Sequence, residues 1–154
     1  MLTQNFISHK DGDIGSRKDA KAQRYEAAKE NDIARVVVDS AFQIHKRLGP
    51  GLLESAYETV LAYELEKRGL KVKRQVSVPI KYDEITLDEG FRADILVEDL
   101  VIVELKSVEE LHPVHKKQLI TYLRLTNKRL GLLVNFSSPL IKDGITRIVN
   151  GLEN

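Results

Sequence analysis

At 154 residues and 42% hydrophobic, the chain is long and apolar enough for one globular domain with a real core. Its 24 Lys and Arg against 23 Asp and Glu leave a net charge of +1, so no global field selects nucleic acid or membrane, and any nucleic-acid partner needs a local patch. Cysteine is absent, which excludes disulfides and thiolate chemistry; no apolar run reaches the ~18 residues of a membrane span or forms a signal-peptide core, so the expectation is a soluble cytoplasmic protein.

Residues 1–31 are polar and mixed in charge and read as a leader, frayed or helical over Arg17–Glu30; the domain proper is expected over 32–154. Asp32 is a plausible N-cap for a helix whose Ile33, Val36, Val37, Ala41, Ile44 and Leu48 recur at helical spacing. Leu48-Gly49-Pro50-Gly51 ends it. A second helix is predicted from about Leu53 to Arg68, closed by Gly69, with Ala56, Val60, Leu61 and Leu65 facing the core. Glu54 and Tyr57 are neighbours on one side of it, and Glu58 lies four beyond Glu54. A carboxylate in the first turn also suits the helix N-terminus, which explains Glu54 without any site.

From Leu70 to Tyr82 the even positions Val72, Val76, Val78, Ile80 and Tyr82 alternate with polar ones, a strand in which Pro79 marks an edge or a bulge. Asp83-Glu84 reads as a turn, Ile85–Leu87 as a brief return, and Asp88-Glu89-Gly90 as the lead into Phe91–Ser107. That stretch alternates apolar and polar residues on both sides of Glu98-Asp99, as a hairpin does. Folded with a three-residue loop, it sets Val97 opposite Val101, Ile95 opposite Val103 and Ala93 opposite Leu105 on one face. Leu96 with Ile102, Asp94 with Glu104 and Arg92 with Lys106 share the other. Directly opposed carboxylates repel. A divalent cation held by oxygen ligands, with a lysine beside it, offsets that repulsion. A solvated face is the plain alternative, but apolar runs flank the charges, and covered charges are costly to desolvate.

Pro113 suits the first position of a helix running to Thr126, with Leu119, Ile120 and Leu123 buried. His115, Gln118 and Tyr122 form a polar-aromatic stripe along it, suited to bonding phosphate or stacking on a base; His115 by itself reads as a surface or capping residue. Leu130–Phe136 is almost wholly apolar, as a buried parallel strand is, and Ile145–Val149 closes the chain after a turn at Lys142-Asp143-Gly144. The order is helix, helix, three antiparallel strands, helix, strand: an α/β sandwich with the last strand parallel to a hairpin strand.

Asp94 followed by Glu104-Leu105-Lys106 on the next strand resembles the PD-(D/E)XK nuclease superfamily. Gly51-Leu-Leu-Glu54-Ser-Ala-Tyr57 is similar to the signature of the GxxExxY family assigned to it, and Gln118-Leu-Ile-Thr-Tyr122 resembles the QxxxY motif of RecB-type exonuclease relatives. The resemblance covers roughly Ile33–Asn150 and implies a restriction-endonuclease-like αβββαβ core, a mixed sheet flanked by helices. It also implies that Asp94 and Glu104 ligate Mg²⁺ or Mn²⁺, that Lys106 orients or activates the attacking water, and that Glu54 completes the acidic site. Gln118 and Tyr122 would contact nucleic acid or orient the site. The proline expected before the motif aspartate is replaced, the sequence reading Arg92-Ala93-Asp94.

The expected function is metal-dependent hydrolysis of phosphodiester bonds in nucleic acid, DNA first. Arg92 either grips a phosphate or pairs with Glu104 or Asp94. A basic trail from the acidic pair would run through Arg74, Lys116, Lys117, Arg124 and Arg147. Two rivals are a nuclease fold that binds or assembles without cutting, and a hydrolase of a small phosphorylated substrate. A domain of this size rarely encloses nucleic acid alone, which makes a homodimer plausible.

Overall fold

The computed structural model describes residues 29–152, so the leader expected over residues 1–31 lies outside the described residues up to position 28. The described chain opens in helix α1 (residues 29–48), where Ile33, Val37, Ala41 and Ile44 are buried at the expected spacing while Leu48 is exposed. Residues 29–31 are already helical, so Asp32 is not an N-cap. It pairs instead with Arg35 one turn on, 3.1 Å away.

Helix α2 (Glu54–Lys67) follows a turn in which φ reaches +101° at Gly51, a conformation that favours glycine. It ends in a Schellman arrangement: Leu70 N–H donates to the Leu65 carbonyl and Gly69 N–H to that of Glu66. Its buried face is Tyr57, Glu58, Leu61, Ala62 and Leu65, rotated from the expected one; Ala56 and Val60 are only half-buried. The Tyr57 ring accounts for the rotation. It stacks on Phe136 with centroids 4.3 Å apart, turning inward a residue that polarity alone leaves at the rim.

Five strands form one mixed sheet in chain order: β1 (Val72–Tyr82), β2 (Ile85–Val97), β3 (Val101–Lys106), β4 (Leu130–Asn135) and β5 (Ile145–Val149). The expected brief return at Ile85 is in fact continuous with the hairpin strand, making β2 one strand of 13 residues. Pro79 satisfies both of its expectations, since β1 is an edge strand and its register with β2 shifts between Val78 and Ile80. β3 and β4 pair in parallel through helix α3 (Pro113–Thr126), and every residue of β4 is buried. Burial on both faces is why β4 reads as an almost unbroken apolar run. The closing segment is β5, antiparallel to β4 at the far edge.

The sheet is covered on both sides. Ile95, Val97, Val101, Val103 and Leu105 pack with α1 and α2, whereas Leu96, Ile102 and Leu133 pack with Leu119, Tyr122 and Leu123 of α3. Ala93 departs from the expected face. It packs with Phe91 in the α3 cluster, opposite to Ile95 and Leu105. Likewise on β1, Val72 packs toward α2 but Val76 and Val78 toward α3. Both strands therefore exchange faces between Val72–Arg74 and Val76, and between Ile95 and Ala93, and the positions at the exchange are Gln75 and Asp94. No helix of the described residues is long and apolar enough to cross a membrane.

Candidate active site

The β2–β3 pairs are Val97 with Val101, Leu96 with Ile102 and Ile95 with Val103, the register a three-residue loop predicts. Beyond Ile95, side chains replace backbone as hydrogen-bond partners. Asp94 N–H donates to Glu104 Oε1 at 3.2 Å, and Leu105 N–H donates to Asp94 Oδ2 at 2.9 Å. The acidic pair thus meets where the two strands stop pairing, and each carboxylate satisfies a backbone donor of the opposite strand.

Burial dominates the electrostatics. It raises the Glu104 carboxyl, and the Asp94 charge adds to it, so that the group is pushed up to about 9, with Lys106 only partly opposing. Asp94 is also raised by burial, against the lowering effect of the Leu105 N–H and the Glu104 hydrogen bond. A buried carboxyl beside a half-buried one, their charges opposed, favours one shared proton or a cation.

Helix α2 closes one side. Asp94, Leu105, Glu54, Glu58, Gln75 and Ser107 line a cleft of about 730 Å³. Glu54 is anchored there as acceptor from Ser107 N–H at 3.2 Å, and the Ser107 hydroxyl bonds the Leu52 carbonyl. Glu54 is exposed, and its bond to Ser107 brings the start of α2 to the end of β3. The Tyr57 hydroxyl donates to the Gly49 carbonyl at 2.6 Å and accepts from Leu52 N–H, holding the glycine turn over this rim. Gly51 and Tyr57 thus shape the loop and Glu54 faces the cleft.

Helix α3 closes the other side. Tyr122 is 8% exposed and its ring stacks on Phe91, so only the hydroxyl end is left for the site. Burial pushes that phenol up to about 12, with the Glu104 charge next in weight and a hydrogen bond from Gln118 opposing. His115 Nδ1 accepts from the backbone N–H of His112, a capping role at the helix start; partial burial first, then Lys106, lowers its pKa. The expected pairing of Arg92 with Lys106 does not form, because the β2–β3 ladder ends at Ile95 with Val103; on its other side Arg92 lies across from Ser77 of β1. Among the described residues Arg92 pairs with neither Asp94 nor Glu104, and it is exposed.

The basic trail is interrupted. Arg74 donates to Glu58 at 2.8 Å and to Thr59, and Arg147 donates to Asn31 of α1 in a separate hollow with Val38 and Phe42. Lys116, Lys117 and Arg124 stay exposed on α3. Two residues of the cleft escaped the sequence reading. Glu58 had a signal, its place one turn beyond Glu54, but polarity suggested solvent where it is 6% exposed. Gln75 had none, since it occupies an outward-reading position of a strand.

With this geometry, a family model of the PD-(D/E)XK nuclease superfamily matches residues 31–148. The chain belongs to that superfamily of nucleases, and its sheet and helices have the restriction-endonuclease-like α/β arrangement. No curated protein and no solved structure matches it.

Proposed function

We propose that the protein is a metal-dependent nuclease that hydrolyses phosphodiester bonds in DNA, and that Gly51, Glu54 and Tyr57 place it in the GxxExxY branch of the superfamily. The observation that carries this reading is the meeting of buried Glu104 with half-buried Asp94 where the β2–β3 pairing opens. Their donor set fits a hard cation: both are carboxylates, and Mg²⁺ binds through one or two carboxylates while keeping waters and taking substrate phosphate. Mg²⁺ or Mn²⁺ held by Asp94 and Glu104, with Glu54 at the cleft edge, supplies Lewis acidity toward the phosphate.

The remaining work falls to the chain. Lys106, two residues beyond Glu104, holds the attacking water and adds positive charge beside the phosphorus as negative charge develops there. Gln118 and the Tyr122 hydroxyl orient Glu104 from the α3 side. Exposed Arg92, with Lys116, Lys117 and Arg124, grips backbone phosphates, and His115 lies beside them on α3. The nuclease unit takes in all of α1, which begins at residue 29 among the described residues and not at 32, with Glu30 buried against Arg129; the location is cytoplasmic, and a homodimer is the assembly to test.

A second reading has its own support. The net charge of +1, with Arg74 drawn to Glu58 and Arg147 to Asn31, favours a nuclease fold that binds nucleic acid without cutting it. Cleavage of labelled single- and double-stranded DNA with Mg²⁺ or Mn²⁺ separates the two. Wild type should cut, and Glu104→Ala and Lys106→Ala should each lose at least 100-fold in rate with circular dichroism unchanged. Retention of DNA without cutting by the wild type selects the second reading.

A further inference from the structure

From Val72 paired with Val97 to Val78 paired with Phe91, β1 and β2 keep one register, and the pair missing from that run is Gln75 with Asp94. At that position Gln75 takes φ +51°, a left-handed conformation that costs a non-glycine residue of order 1–3 kcal/mol and persists only where surroundings enforce it. Consecutive strand residues ordinarily point to opposite faces. Here Arg74 and Gln75 both reach Glu58 on α2, because the left-handed step turns Gln75 onto the face of its predecessor. The Gln75 amide nitrogen donates to Glu58 Oε1 and lies 3.5 Å from Asp94 Oδ1. Glu58 is itself fixed by Arg74 and by burial.

We infer that Gln75 is a positioning residue whose amide, anchored on Glu58, holds the Asp94 carboxylate in its working orientation. An amide nitrogen carries two N–H donors and can serve two carboxylates at once. With Gln75 Nε2 3.5 Å from Oδ1 and Leu105 N–H on Oδ2 at 2.9 Å, each Asp94 oxygen faces a donor, and the strained backbone of Gln75 is what brings the amide within reach. A strand residue with ordinary φ would point to the other face of the sheet, leaving Asp94 anchored on one oxygen. The inference assigns a role within the proposed active site and rests on that reading for its catalytic consequence, but not for the positioning itself.

The test uses the full chain and two variants. Gln75→Gly suits φ +51° and removes the amide; Gln75→Glu keeps the length and removes the donors. In metal-free protein, hydrogen exchange followed by NMR reads the Leu105 amide, whose partner is Asp94 Oδ2. Its protection should fall at least 10-fold in both variants while the β4 amides keep theirs. With Mn²⁺, kcat for DNA cleavage should fall at least 10-fold with DNA affinity within twofold of wild type. Unchanged Leu105 protection overturns the inference whatever the activity. Lost protection in a protein whose wild type cuts nothing leaves the positioning standing and removes the nuclease reading instead.

Discussion

Glu104 shows how one buried atom group makes stability depend on pH. Its folded carboxyl, raised from 4.5 to about 9 by burial and then by Asp94, keeps a proton that the unfolded chain releases near 4.5. Between those values the folded state binds more protons, so metal-free protein loses stability as pH rises from about 5 to 9. Glu104→Gln keeps the shape and removes the titration. Melting in EDTA at pH 6 and pH 8.5 should show wild type losing Tm over that interval while Glu104→Gln loses less and melts higher at pH 8.5; parallel slopes would contradict the assigned burial. Asp94 and Glu104 were legible as a pair because hairpin register follows from the alternation and a short loop. Gln75 was not, because its role comes from a backbone angle that no residue type announces.

Among the elements, the Gly49–Leu53 turn and the start of α2 act together. Tyr57 lies inside, stacked on Phe136, and its hydroxyl ties the Gly49 carbonyl and the Leu52 N–H. Tyr57→Phe keeps the stack and deletes both bonds, leaving a backbone carbonyl to find water. A loss of about 1–3 kcal/mol in unfolding free energy follows from the unsatisfied group. It should be accompanied by weaker cleavage, because the turn carries Glu54 at the rim; urea melts beside rate measurements check both. The helical spacing of α2 found its existence and its end at Gly69, where the C-terminal hydrogen bonds have a local signature. It missed which face is inside, since a tyrosine at the fourth position of the helix is buried where Phe136, 79 positions later in the chain, offers it a ring.

In the whole molecule one sheet serves two cores, α1 and α2 on one face and α3 on the other. Removing packing from either should unfold both. Leu123→Ala, at a fully buried position on α3, should cost about 2–5 kcal/mol and shift a single thermal transition, seen alike by near- and far-ultraviolet circular dichroism. Two separated transitions would mean that the α3 face melts alone. Element order and the parallel β3–β4 pair were legible in the sequence from local periodicity and the crossover through α3, and the closeness of Asp94 to Glu104 from the short hairpin loop. The exchange of faces at Gln75 and Asp94, the capture of Arg74 by Glu58 and the burial of Tyr122 against Phe91 depend on which elements lie across from one another. Only the tertiary structure decides those, because a side chain's partner in space is set by packing of distant segments and not by the residues beside it in the chain.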